Sequence, residues 1–210
     1  MLALGALAVG ALALTAALVD VQSRQSALPA VVAIDKDVLE EALNDAPAIS
    51  SDEDADENQD DDSTDGPVLW LVTAPDCPKC RAFEKGAMAK LIDSGVEVRA
   101  IVVAPRKLAA NTQGARDVAA LMKERDWTGV HLWMQGKRPP SSEAMDPDEE
   151  DGLLEWGRQS AERIGAVLKR NDLIMDEPAL FWRNGPEWRA SVGGNESAYH
   201  QIEQELAPKA

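Results

Sequence analysis

Two cysteines stand three residues apart in Cys77-Pro78-Lys79-Cys80, and the 210-residue chain has no others. Thiols at that spacing can cycle between dithiol and disulfide, and the thiolate is the reactive species. An i, i+3 step puts both sulfurs on one side of a helix's first turn. Pro78 suits the first helical position, where its missing N–H costs nothing, so Cys77 is expected at the N-cap. There the helix dipole and the free N–H groups favour the Cys77 thiolate. Cys77 is therefore the candidate nucleophile, and Cys80, one turn on and more buried, the candidate for resolving a mixed disulfide. Lys79, read as solvent-facing, adds a positive charge that favours the thiolate. The bland reading is an inert disulfide that locks the start of the helix.

The pair needs a strand to lead into it and a helix to carry it. Residues 67–74 (PVLWLVTA) form a short apolar run rich in β-formers and predict a buried strand. Phe83, Ala87, Met88, Leu91 and Ile92 recur at helical spacing after the cysteines. Gly95 ends that helix, and residues 96–104 (VEVRAIVVA) read as a strand entering a sheet interior. Helices are expected over 113–127 and 148–171, and a loop over 136–147. Residues 128–134 are ambiguous. Near the C-terminus, Leu180-Phe181-Trp182 and residues 188–192 predict a hairpin. Asn184-Gly185 supplies its two-residue type I′ turn, and Asn195 caps a last helix bearing Tyr199, Ile202 and Leu206.

The strand, the C-P-K-C and the helix resemble the redox site of the thioredoxin superfamily. Asp176 to Gly194 (DEPALFWRNGPEWRASVGG) is similar to the Pro-strand-turn-strand-Gly-Gly segment that faces the cysteines there. Within the superfamily the chain looks most like the periplasmic DsbC/DsbG-like oxidoreductases. The matching segments are 67–104 and 177–207. The resemblance implies an α/β thioredoxin-like fold with a central mixed sheet and a helical insertion over residues 105–172, between the CxxC unit and the hairpin. It makes Pro178 the cis-proline, beside which substrate pairs with the preceding backbone as an added strand. Glu177 stands where relatives commonly have Thr, Val or Ile. Asp76 replaces the usual aromatic or small residue before the first cysteine. Both bear on the redox poise. The resemblance implies no cofactor beyond the Cys77–Cys80 dithiol.

Thirty-seven acidic against 21 basic side chains give a net charge of −16, which argues against nucleic acid as a partner. His131 and His200 have no zinc-finger spacing and read as ordinary polar residues, so no metal site is expected. The six tryptophans read mostly as core. Residues 1–19 are apolar apart from Thr15, long enough for a transmembrane anchor. A cleaved signal segment competes, with Ala11-Leu12-Ala13 resembling a cleavage site. Residues 20–49 read as a linker with a short helix over 35–46, capped by Asp35, with Val38, Leu39, Ala42 and Leu43 on one face. Residues 50–66 carry nine carboxylates and read as a self-repelling acidic spacer rather than a calcium loop. The thioredoxin-like domain is then expected over 67–208.

These readings combine into an extracytoplasmic, membrane-tethered thiol:disulfide oxidoreductase of reductase or isomerase type. It would sit at a bacterial inner membrane facing the periplasm, or be soluble there after cleavage. Its partners would be cysteine-containing exported proteins and a membrane or periplasmic thiol electron donor or acceptor. One alternative is a copper(I)-delivery module using the same two thiolates. Another is a structural thioredoxin-like domain of an envelope assembly.

Overall fold

The computed structural model describes residues 31–34, 36–52, 66–74, 77–104, 112–139 and 145–207, with only the backbone at Asp37. The apolar 1–19 segment, Asp35, acidic residues 53–65 and Asp76 lie outside that set. Among the described residues no helix is long and apolar enough to cross a membrane.

In chain order the elements are β1 (Val32–Ile34), α1 (Lys36–Asn44), β2 (Ala48–Ser50), β3 (Val68–Thr73), α2 (Pro78–Phe83), a π-helical turn (Glu84–Met88) running into α3 (Ala89–Asp93), and β4 (Glu97–Val102). Then follow α4 (Gln113–Glu124), α5 (Trp127–Met134), α6 (Pro147–Arg170), β5 (Ala179–Asn184), β6 (Glu187–Val192) and α7 (Glu196–Leu206). The strands form one sheet in the order β1-β6-β5-β3-β4-β2. Among the described strands only β3 and β4 pair in parallel, joined by the helical crossover that begins at the cysteines. The other pairings are antiparallel.

Side chains alternate between the faces of a strand. Leu69 and Leu71 of β3 therefore share a face with Val98 and Ala100 on one side and Trp182 and Leu180 on the other. This face buries Phe83, Met88 and Leu91 of the redox helix, Val118, Leu121 and Met122 of α4, Val130 and Trp133 of α5, and Ile202 and Leu206 of α7. A fully buried Leu or Phe is worth about 1.5–3 kcal/mol in transfer free energy, so this shared core is what holds the insertion to the redox unit. Residues 128–134, ambiguous by pattern, are helical. Asp126 caps α5 by accepting from the N–H groups of Thr128 (3.0 Å) and Gly129 (2.9 Å). The long helix starts at Pro147, one residue earlier than expected, with Asp146 as its cap.

Two expectations need correction. The domain does not begin at residue 67. The segment read as a linker over 20–49 supplies a packed helix and, with Ser50, both edge strands of the described sheet. β1 pairs with β6 (Val32↔Ala190) and β2 with β4 (Ile49↔Ala100). In α1, Leu39 and Leu43 are completely buried. On the sheet face opposite the main core, Glu40 accepts from Trp188 Nε1 at 3.1 Å. Asp45 binds Arg163 of α6 at 2.8 Å, and its carbonyl accepts from Trp156 Nε1. Three-residue strands carry no periodic signal of their own, and pairing alone makes them strands. Ser50 and Ser51, assigned to the acidic spacer, also join the sheet. Ser50 Oγ donates to Glu97 (2.7 Å), and Ser51 exchanges hydrogen bonds with the Val98 backbone.

The hairpin turn lies one residue later than expected. Asn184 pairs with Glu187, so its two central residues are Gly185 (φ +60°) and Pro186. A type I′ turn centred on Asn184-Gly185 would need an N–H from Pro186 to close it, and proline has none. Positive φ at Gly185, followed by the negative φ that the proline ring imposes, is the type II′ pattern.

Candidate redox site

The apolar β3 delivers the chain to Cys77, whose extended backbone (φ −88°, ψ 101°) makes it the N-cap of α2, with Pro78 the first helical residue. Cys80 N–H donates to Cys77 Sγ at 3.1 Å, and Arg81 N–H donates to the Cys77 carbonyl at 3.2 Å. Cys77 and Cys80 are joined as a disulfide with their Cα atoms 5.3 Å apart. Cys80 is 2% exposed, whereas Cys77 is half-buried. An incoming sulfur can therefore reach Cys77 but not Cys80. On reduction, the same N–H would donate to a Cys77 thiolate, and a hydrogen bond to the charged form favours that form.

The second wall comes from the segment before β5. The Glu177–Pro178 peptide bond is cis, and Pro178 is buried while Glu177 is half-buried. Gly193 N–H is shared between the carbonyls of Asp176 (3.1 Å) and Pro178 (3.0 Å), which ties this segment to the end of β6. Gly193 and Gly194 have φ of +79° and +71°, a region that side chains strain to adopt. They also leave no room for a side chain. A Cβ on Gly193 would lie 2.7 Å from Asp176 Oδ2, and one on Gly194 would lie 2.9 Å from Lys79 Cβ and 3.0 Å from the Tyr199 hydroxyl.

Lys79 faces solvent as expected, with its side chain half-exposed, but its Nζ is also 2.8 Å from Asp176 Oδ2, a partner the sequence did not mark. The positive charge between the cysteines is thus spoken for by the residue two before the proline. Tyr199 of α7 flanks the same corner, its ring 4.9 Å from that of Phe83. Burial, with a smaller push from the Glu196 charge, raises the Tyr199 hydroxyl pKa to about 12.

One turn beyond Cys80, the π-helical turn turns Glu84 inward, to 4% exposure. Glu84 Oε1 lies 3.3 Å from His131 Nδ1 and accepts from Gln135 Nε2 at 3.3 Å, while its Oε2 has no hydrogen-bond partner among the described residues. His131, read from sequence as an ordinary polar residue, thus joins the insertion's α5 to the redox helix through a buried carboxylate.

The structure accordingly brings Lys79, which stands between the disulfide-bonded cysteines, to Asp176, two residues before the cis-proline Pro178. Sequence reasoning missed Asp176, Glu84 and His131 as neighbours of the redox helix. The signal for Asp176 was its acidic charge two residues before the proline. Nothing in the pattern marked Glu84 as buried. Among the described residues no group of three or more His, Cys, Asp or Glu side chains could hold a metal ion.

A parallel β–α–β unit starting at a CxxC, an antiparallel hairpin entered through a cis-proline, a final helix and helices inserted between the two halves define an α/β thioredoxin-like fold with a helical insertion. Among solved structures, the chain is similar to the catalytic domain of Proteus mirabilis ScsC, at 17% sequence identity and a TM-score of 0.46, over 80% of this chain and 92% of that one. No family model and no curated protein matches the sequence.

Proposed function

We propose that this protein is a thiol:disulfide oxidoreductase of reductase or isomerase type that works through the Cys77–Cys80 dithiol. The observation that carries the reading is the unequal placement of the two sulfurs: Cys77 is accessible and receives an N–H at 3.1 Å, and Cys80 is buried behind it. The Cys77 thiolate attacks one sulfur of a substrate disulfide, and the other substrate sulfur leaves as a thiolate. Cys80, on losing its proton, then attacks Cys77 Sγ. That step forms the Cys77–Cys80 disulfide and frees the second substrate thiol. Two electrons pass to the substrate, and the two protons of the dithiol go to the released thiolates. An isomerase cycle ends instead when another substrate thiol displaces Cys77.

Glu177 supports the reducing direction, because a carboxylate beside the site opposes the thiolate and so weakens the dithiol form. The sequence likeness to DsbC/DsbG-like proteins and the apolar 1–19 segment support a periplasmic domain tethered to the inner membrane. Exported cysteine-containing proteins would be its substrates, and a membrane or periplasmic thiol its electron donor.

The test is reduction of a fluorogenic disulfide peptide and recovery of a scrambled disulfide protein by the reduced chain. Both should proceed with wild type and fail with Cys77→Ser. A reduced chain that binds copper(I) through its two thiolates but exchanges with neither substrate would overturn the reading in favour of metal delivery. Protease added to spheroplasts should digest the domain, and a protected cytosolic domain would overturn the placement.

A further inference from the structure

We propose that Asp176 is a positioning residue for the redox site: it anchors Lys79 on the cis-proline side, keeping the ammonium from pairing with Cys77, and so holds the couple toward the reducing end. The proposal deepens the oxidoreductase reading and rests on it. Lys79 lies between the two cysteines in sequence, on the first turn of the helix whose N-cap is Cys77. A lysine there with no partner would be drawn to a thiolate formed at the cap. Instead its ammonium is 2.8 Å from Asp176 Oδ2. Its stem lies across Gly194, where an added Cβ would come within 2.9 Å of Lys79 Cβ and 3.3 Å of Lys79 Cδ.

Asp176 is fixed in turn. Its carbonyl accepts from Gly193 N–H at 3.1 Å, and Gly193 has no side chain to displace the carboxylate. Three segments distant in sequence, the CxxC turn, the residues before β5 and the Gly-Gly end of β6, therefore meet at one ion pair. Stability does not account for it, since both side chains are about half exposed, at 51% and 45%, and such surface pairs contribute roughly 0–1 kcal/mol. Its leverage is on charge placement. Among the described residues, Tyr199 and Glu196 also stand at this corner, Glu177 follows Asp176 in the chain, and Arg81, the other cation on this turn of the helix, reaches toward Gly136. The glutamates are carboxylates and the tyrosine is neutral near pH 7, so Lys79 is the positive charge this corner offers the cap.

The experiment measures the full chain against glutathione. One protein disulfide plus two glutathione thiols gives one protein dithiol plus one glutathione disulfide. Wild type, Asp176→Asn, Asp176→Glu, Lys79→Met and the Lys79→Met/Asp176→Asn double variant are equilibrated at low and high salt. Thiolate absorbance of each reduced form is titrated in parallel. Asp176→Asn should release Lys79, stabilise the Cys77 thiolate, and move the equilibrium about threefold toward dithiol at low salt, less at high salt. Asp176→Glu should stay near wild type. In the Lys79→Met background the Asp176→Asn shift should largely vanish. An equal shift in both backgrounds would show that Asp176 acts as a bare charge and not through Lys79. No shift in either would show that the bridge has no bearing on the couple. Failure to exchange with glutathione at all would overturn the oxidoreductase reading, while the thiolate titration would still decide the role of Asp176.

Discussion

Cys80 donates its backbone N–H to Cys77 Sγ across 3.1 Å, so the proposed resolving residue also caps the proposed nucleophile. The donor is main chain and survives a change of side chain. Cys80→Ser should therefore keep Cys77 reactive and trap mixed disulfides with substrates, whereas Cys77→Ser should abolish exchange. Iodoacetamide labelling of the reduced protein at neutral pH checks the assignment. Faster alkylation at Cys80 than at Cys77 would reverse the two roles.

Glu177 sits between Asp176, which reaches Lys79, and Pro178, which is tied to Gly193. In the proposed reading, a carboxylate at this position opposes a thiolate at Cys77. Glu177→Thr should lower the Cys77 pKa and raise the reduction potential. A shift of one pKa unit corresponds to about 1.4 kcal/mol, or about 30 mV for a two-electron couple. Thiolate titration of wild type and variant measures it. An unchanged or higher Cys77 pKa in the variant would show that the Glu177 carboxylate points away from the sulfur.

Tyr199 is the chain's one tyrosine, so its ionisation can be followed directly by phenolate absorbance. The folded-state pKa, raised to about 12 from 10.0, lies above the unfolded value. Folding therefore holds the phenol neutral after the unfolded chain has begun to ionise. The stabilisation is complete below about pH 10 and is lost as pH rises toward 12. Urea midpoints should fall across that window in wild type and fall less in Tyr199→Phe. A phenolate titration centred near 10 in the folded protein would contradict the burial of this ring against Phe83.

Leu43 of α1 is completely buried although it lies ahead of the acidic run. Leu43→Ala should cost about 2–5 kcal/mol, the usual range for a core Leu→Ala change. Urea unfolding of the full chain reads this, with the exposed Lys90→Ala as control. Equal stability of the two variants would return residues 31–50 to the status of a linker.

The redox half of the molecule was legible in the sequence because its signals are local. A proline after a cysteine sets the first helical turn, an apolar run of β-formers makes a buried strand, and Asn195 accepts from Ser197 N–H to begin α7. Each rests on backbone chemistry within a few residues. The turn falls at Gly185-Pro186, one position after the asparagine–glycine signal, because Pro186 has no N–H to close a turn centred on Asn184-Gly185. The edge strands β1 and β2 were not legible at all. Three residues have no period, and their partners at Trp188–Ala190 and Arg99–Ile101 are about 50 to 160 positions away in the chain. The same holds for the charges of the site. That Lys79 would meet Asp176, and His131 the buried Glu84, depends on how the insertion and the Gly-Gly end of β6 pack against the redox helix. By itself the sequence determined which atoms can do redox chemistry and how the helix start activates one of them. Only the tertiary structure decided which polar and charged groups stand beside them, because contacts between residues 47 and 97 positions apart are set by packing rather than by any local pattern.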